Sequence, residues 1–176
     1  MSVIHSRPYE WPYHGRVLPR QTALMVFRDG PLPAEAPEVA SLEALAGLAR
    51  RSGVRLIHCQ PVGQEPLLQP EPEDLVIGRP RLGGFAGTEL DMVLRNAGLT
   101  DLLIAGVPLE LGADCTMREA NDLGYECLLV EDCCTALSEQ TFRGAVSSIQ
   151  MSGGIFGAVA RAAAVVEALN QIGGES

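Results

Sequence analysis

Cys115 stands near the start of a stretch that reads as a helix, Ala113 to Leu123, just after the apolar run Leu102-Leu-Ile-Ala105. The start of a helix carries partial positive charge, which favours a thiolate and so nucleophilic attack on a carbonyl carbon. Cys115 lies about a full turn inside that helix, where the terminal field has largely faded, and a packed thiol is the plainer expectation. Asp29 closely follows a second apolar run, Thr22-Ala-Leu-Met-Val-Phe27. Arg28, which intervenes, could not act as a base, because a guanidinium keeps its proton at any working pH.

The other reactive residues point to less. His5, His14 and His58 are scattered without metal-ligand spacing, so no metal or other cofactor is implied. His58 closes an apolar run and reads as a structural residue. Gly83-Gly84 and Gly153-Gly154 open no phosphate-binding strand-to-helix loop. Five cysteines at irregular spacing make no disulfide framework, and the adjacent Cys133 and Cys134 read as two buried thiols.

These groups need a scaffold, and the hydrophobic pattern supplies one. Short apolar runs at Thr22–Phe27, Val54–His58, Leu75–Ile77, Leu102–Ala105 and Cys127–Val130 read as buried strands, with Ile155–Val159 as a last one. Between them, apolar residues recur at helical spacing: Leu42, Leu45, Leu48 and Ala49, then Leu90, Val93, Leu94 and Ala97 after Thr88. Further helices are expected at Ala113–Leu123, Ser138–Ile149 and Arg161–Leu169. Residues Gln60 to Asp74, with four prolines, read as a loop. Alternating strands and helices predict a single-domain, Rossmann-like three-layer α/β/α sandwich with a mostly parallel six-stranded sheet.

Composition agrees. A chain of 176 residues, 47% hydrophobic and 20% charged, suits one domain. Its net charge of −9 and lack of a basic stripe disfavour nucleic acid. No segment reads as a signal peptide or membrane span, and odd, scattered cysteines suit a reducing cytoplasm.

Several motifs, taken in order, carry a resemblance. They are Arg7-Pro-Tyr-Glu-Trp-Pro-Tyr-His-Gly15, Phe85-Ala-Gly-Thr-Glu-Leu90, Ile104-Ala-Gly-Val107, Thr116-Met-Arg-Glu-Ala-Asn-Asp122 and Gly153-Gly-Ile-Phe-Gly157. The chain resembles the isochorismatase-like (cysteine hydrolase) superfamily, and most of all its branch acting on biuret and ureido compounds. The resemblance implies an N-terminal arm over residues 1–20 and an isochorismatase-like domain over 21–172. It also implies an Asp base, a Lys and a Cys nucleophile, and those positions fall here on Arg28, Arg79 and Gly112. Asp29, one residue late on its strand, and Cys115 become possible surrogates. Relatives have a cis peptide after the Val of Ala-Gly-Val, so Val107–Pro108 is expected to be cis.

Two functions follow as expectations. In the first, the chain is a catalytically inactive pseudoenzyme or non-catalytic subunit, forming a homo-oligomer (dimer or tetramer) or a hetero-oligomer with an active paralogue. Arg28, Arg79, Val107, Pro108 and Gly112 would then line a site for a small carboxylate or other anion, unless both arginines pair with Asp29, Glu110 or Asp114. In the second, the chain is an active hydrolase of a small amide, ureide or vinyl ether, cutting a C–N or C–O bond by rearranged or non-covalent chemistry.

Overall fold

The computed structural model describes residues 2–31 and 36–173. Six strands form one parallel sheet: β1 (Thr22–Arg28), β2 (Arg55–Pro61), β3 (Leu75–Arg79), β4 (Asp101–Val107), β5 (Glu126–Val130) and β6 (Ala158–Ala160). Their order across the sheet is β3-β2-β1-β4-β5-β6. Side chains of β1 and β4 are buried almost throughout, as expected of central parallel strands covered on both faces. Five helices connect them: α1 (Pro37–Arg51), α2 (Leu90–Asn96), α3 (Asp114–Asp122), α4 (Glu139–Gly154) and α5 (Ala162–Gly173). Right-handed crossovers place α1 and α5 on one face, where they touch, and α2, α3 and α4 on the other. This is the predicted three-layer sandwich, with a sheet that is wholly parallel.

Local chemistry explains most boundaries. Pro37 occupies the first turn of α1, where no N–H is needed. Thr88 Oγ1 accepts from the Leu90 N–H at the start of α2 and donates to Gly84 O. At α4, Ser138 and Thr141 exchange side-chain and backbone bonds in a capping box. The last strand starts three residues later than its apolar run suggests. Residues Met151–Gly153 leave helical geometry, and Gly157 has φ +128°, so the chain is still turning at Ile155. The connection read at Asp29-Gly-Pro-Leu-Pro lies partly outside the described residues.

The N-terminal arm belongs to the core. Ile4 and Trp11 are fully buried and bridge each other, and Arg7 exchanges backbone bonds of 2.9 and 2.7 Å with Val159 of β6. Arg7 also pairs with Glu131, and Tyr9 donates to Glu126. The Arg7–Pro8, Trp11–Pro12 and Val107–Pro108 bonds are cis, the last as expected.

Candidate functional site

Strand order reverses between β1 and β4, so the carboxyl ends of these neighbours diverge into helices on opposite faces. Such a switch point is where open parallel sheets usually hold ligands. Arg28, last in β1, pairs with Val107, last in β4. Beyond Val107 the chain makes one wide turn, Leu109–Ala113, before α3 begins at Asp114. Gly106 permits this descent, because a Cβ there would lie 2.5 Å from that of Ala113.

Asp29 and Arg79 meet at this turn. The Asp29 N–H still bonds Val107 O, at 2.8 Å, but the residue has left the strand. Alternation therefore no longer dictates its side-chain direction. Its carboxylate turns inward: Oδ1 accepts from Arg79 Nη2 at 2.8 Å and Oδ2 from the Gly112 N–H at 3.0 Å. Both residues are closed off, Asp29 being 8% exposed and Arg79 2%. Backbone oxygens hold the guanidinium as well. Nη2 donates to Arg28 O (3.1 Å), and Nη1 donates to Leu82 O and to Arg81 O (3.4 Å). Cζ lies 5.4 Å from the centroid of the Phe27 ring. Only Nε, among the five N–H groups, lacks an acceptor among the described residues.

Gly112 makes room for this arrangement. A Cβ built on it would stand 2.5 Å from Asp29 Oδ2 and 2.6 Å from Arg79 Nη1. The ion pair occupies the volume that any side chain at 112 would need. A larger concavity, about 810 Å³, lies elsewhere on the surface and is lined by Glu131, Asp132, Cys134, Phe142 and Arg161.

The remaining expected site residues go separate ways. Arg28 points its guanidinium at backbone oxygens, Gly30 O (3.3 Å) and Glu65 O (2.6 Å), rather than at a carboxylate. Glu110 caps the next helix, accepting from the Leu137 N–H and the Thr141 hydroxyl. Asp114 pairs with Arg118 one turn along α3. Cys115 is partly exposed; partial burial, then Asp114, Glu119 and more weakly Asp29, push its thiol above the usual range, with Arg118 a minor opposing influence. That disfavours the thiolate a nucleophile needs. Cys59, Cys127, Cys133 and Cys134 are buried free thiols, all pushed up first by burial.

Two arrangements were not legible beforehand. Thr116 Oγ1 donates to Gly112 O and accepts from the Gly84 N–H, while Glu119 accepts from the Phe85 N–H, so α3 fastens the 83–88 segment to the turn. His58 is not solitary: Nε2 lies 3.0 Å from Asp74 Oδ2, and Asp74 also accepts from Arg50 and the Glu71 N–H. Only the pairing of β2 with β3 and the packing of α1 beside them could have joined these residues. Among the described residues no cluster of His, Cys, Asp or Glu has the makings of a metal site, and no helix is long and apolar enough to cross a membrane.

Comparison with known proteins places the chain. A model of the isochorismatase domain matches residues 38–164. Ureidoacrylate amidohydrolase RutB of Methylobacterium radiotolerans is 35% identical over 103 residues, 58% of this chain and 39% of that protein. An uncharacterized isochorismatase family protein, YecD, of Escherichia coli O157:H7 is 29% identical over 99 residues, 56% of this chain and 50% of that one. The chain thus spans half or less of these curated relatives. Among solved structures, a cysteine hydrolase from Pseudomonas syringae pv. phaseolicola superposes with TM-score 0.78 over 98% of this chain and 99% of that one, at 17% identity. An N-carbamoylsarcosine amidase from Thermoplasma acidophilum reaches 0.64 over 81% and 96%, at 21%.

Proposed function

This chain belongs to the isochorismatase family, and we propose on that premise that it keeps the hydrolase scaffold as a non-catalytic binding or assembly subunit. One observation supports this reading above the rest: Asp29 and Arg79 fill the space at Gly112 where a nucleophilic side chain would have to stand. Both charged groups are engaged with each other and with backbone, so neither is free to activate a substrate. Cys115, the partly exposed thiol near the turn, is biased toward its protonated form. A homo-oligomer, or an assembly with a catalytically competent relative, is the partner state that fits this role.

The test is hydrolysis of small ureido and carbamoyl amides by the purified chain, followed as ammonia release. No turnover above a heat-treated control is expected. Turnover abolished by Cys115→Ala would overturn the proposal in favour of covalent catalysis. Asp29 motivates a second reading, because it is a carboxylate beside a guanidinium and a backbone N–H at the switch point. Turnover that survives Cys115→Ala and disappears in Asp29→Asn would establish that reading, a non-covalent hydrolase with Asp29 as its acid–base group.

A further inference from the structure

We infer that the Arg79 guanidinium and the Gly112 N–H form a carboxylate cradle, that Asp29 is its built-in occupant, and that a small free carboxylate takes the same place when Asp29 is removed. The inference rests on the reading of Asp29 as a structural occupant rather than an acid–base catalyst. It names the ligand class that the turn is shaped to hold.

The cradle does not depend on Asp29 for its form. Arg28 O, Arg81 O and Leu82 O fix the guanidinium from three directions, and the Phe27 ring lies beside it. The Gly112 N–H is fixed by the turn, which Thr116 braces through Gly112 O. The two donors meet separate oxygens of one carboxylate, at 2.8 and 3.0 Å, just ahead of α3. Glycine at 112 leaves the anion room to approach, since a Cβ would stand 2.5 Å from its oxygen. A guanidinium in this setting cannot shed its charge, and without an anion it would be buried and uncompensated. Its Nε has no acceptor among the described residues, so the protein's own groups do not saturate it. Removing Asp29 therefore leaves a preorganised site with no counter-ion, and preorganisation lowers the cost of binding one.

Asp29→Gly removes a fragment the size of acetate, which makes acetate the matched probe and formate a smaller companion. The full chain, Asp29→Gly and Asp29→Gly/Arg79→Met are compared by thermal unfolding in sodium acetate, sodium formate and sodium chloride at equal ionic strength. The Asp29→Gly midpoint should climb progressively with acetate, as mass action requires of a ligand bound only by the folded state. Chloride should not reproduce the rise, and the parent and the double variant should treat all three salts alike. If Asp29→Gly needs acetate in order to refold, that dependence supports the cradle equally. Equal responses to acetate and chloride, an undiminished acetate response without Arg79, or failure to refold in every salt would each overturn it. Because the readout is stability, hydrolytic turnover in the parent chain would sink the non-catalytic reading without deciding this one.

Discussion

β3 is five residues long and has an Arg–Asp pair at each end. Asp74 immediately precedes it and binds Arg50 from the end of α1; Arg79 closes it and binds Asp29 from the end of β1. The pairs look alike but are solvated differently. Arg50 keeps 20% of its side chain exposed and spreads its donors over Asp74, Glu71 and Gln69 O. Asp74 in turn accepts from three separate groups. The Arg79 side chain is fully buried, and its one charged partner among the described residues is Asp29. Desolvating a charge is expensive, and a pair reaching water avoids part of that cost. The first pair fastens a loop, whereas the second fills the space beside Gly112 at the switch point of the sheet.

The contrast can be broken most directly by removing each acid. Asp29→Ala leaves Arg79 buried without a counter-ion and should cost about 3–5 kcal/mol in urea or thermal unfolding in buffers free of carboxylates. Asp74→Ala should cost clearly less, because Arg50 can turn to water and to Glu71. Equal losses would mean that the two ends do not differ in the way their exposure indicates.

Gly112→Ala probes the fit of the second pair alone. With a Cβ 2.5 Å from Asp29 Oδ2 and 2.6 Å from Arg79 Nη1, backbone or carboxylate must shift. Overpacking of this kind costs about 1–3 kcal/mol. A neutral result would show that the pair can move aside, and that room for a side chain exists after all.

Acid sharpens the first pair. Burial alone would raise the Asp74 carboxyl, but Arg50, the Glu71 N–H and His58 outweigh it and hold the group at about 2. Its folded value lies below the unfolded one near ~3.9, so its contribution is complete above that pH. It fades as pH falls from about 4 through about 2. On the order of 1–2 kcal/mol should disappear across that window in the parent chain, and Asp74→Asn should flatten the dependence. An unchanged acid limb in the variant would assign the loss to other carboxylates.

The sequence carried the sheet, the helices and the location of the turn, because continuous apolar runs, helical spacing and caps are local signals. Arg79 and Gly112, singled out through the family resemblance, are neighbours at the turn. The sequence was ambiguous at Asp29, where strand alternation argued for the wrong face. The strand ends one residue earlier, at Arg28, and the freed backbone turns the carboxylate inward. Arg28 was expected beside Arg79, yet its side chain leaves toward Glu65 O, a choice made by the neighbouring loop. Nothing local links Arg50, His58 and Asp74, since their meeting depends on how β2 and β3 align and on how α1 packs beside them.

The N-terminal arm has a consequence for how copies of this molecule can associate. Arg7 uses both the N–H and the carbonyl of Val159, so the β6 margin of the sheet is already sealed by the chain's own backbone. Among the described residues the opposite margin, β3, pairs only with β2. A sheet with two bare margins can add neighbours indefinitely and grow into a fibre. With one margin sealed, strand pairing through the other can join no more than two molecules, so the arm closes one route to a fibre.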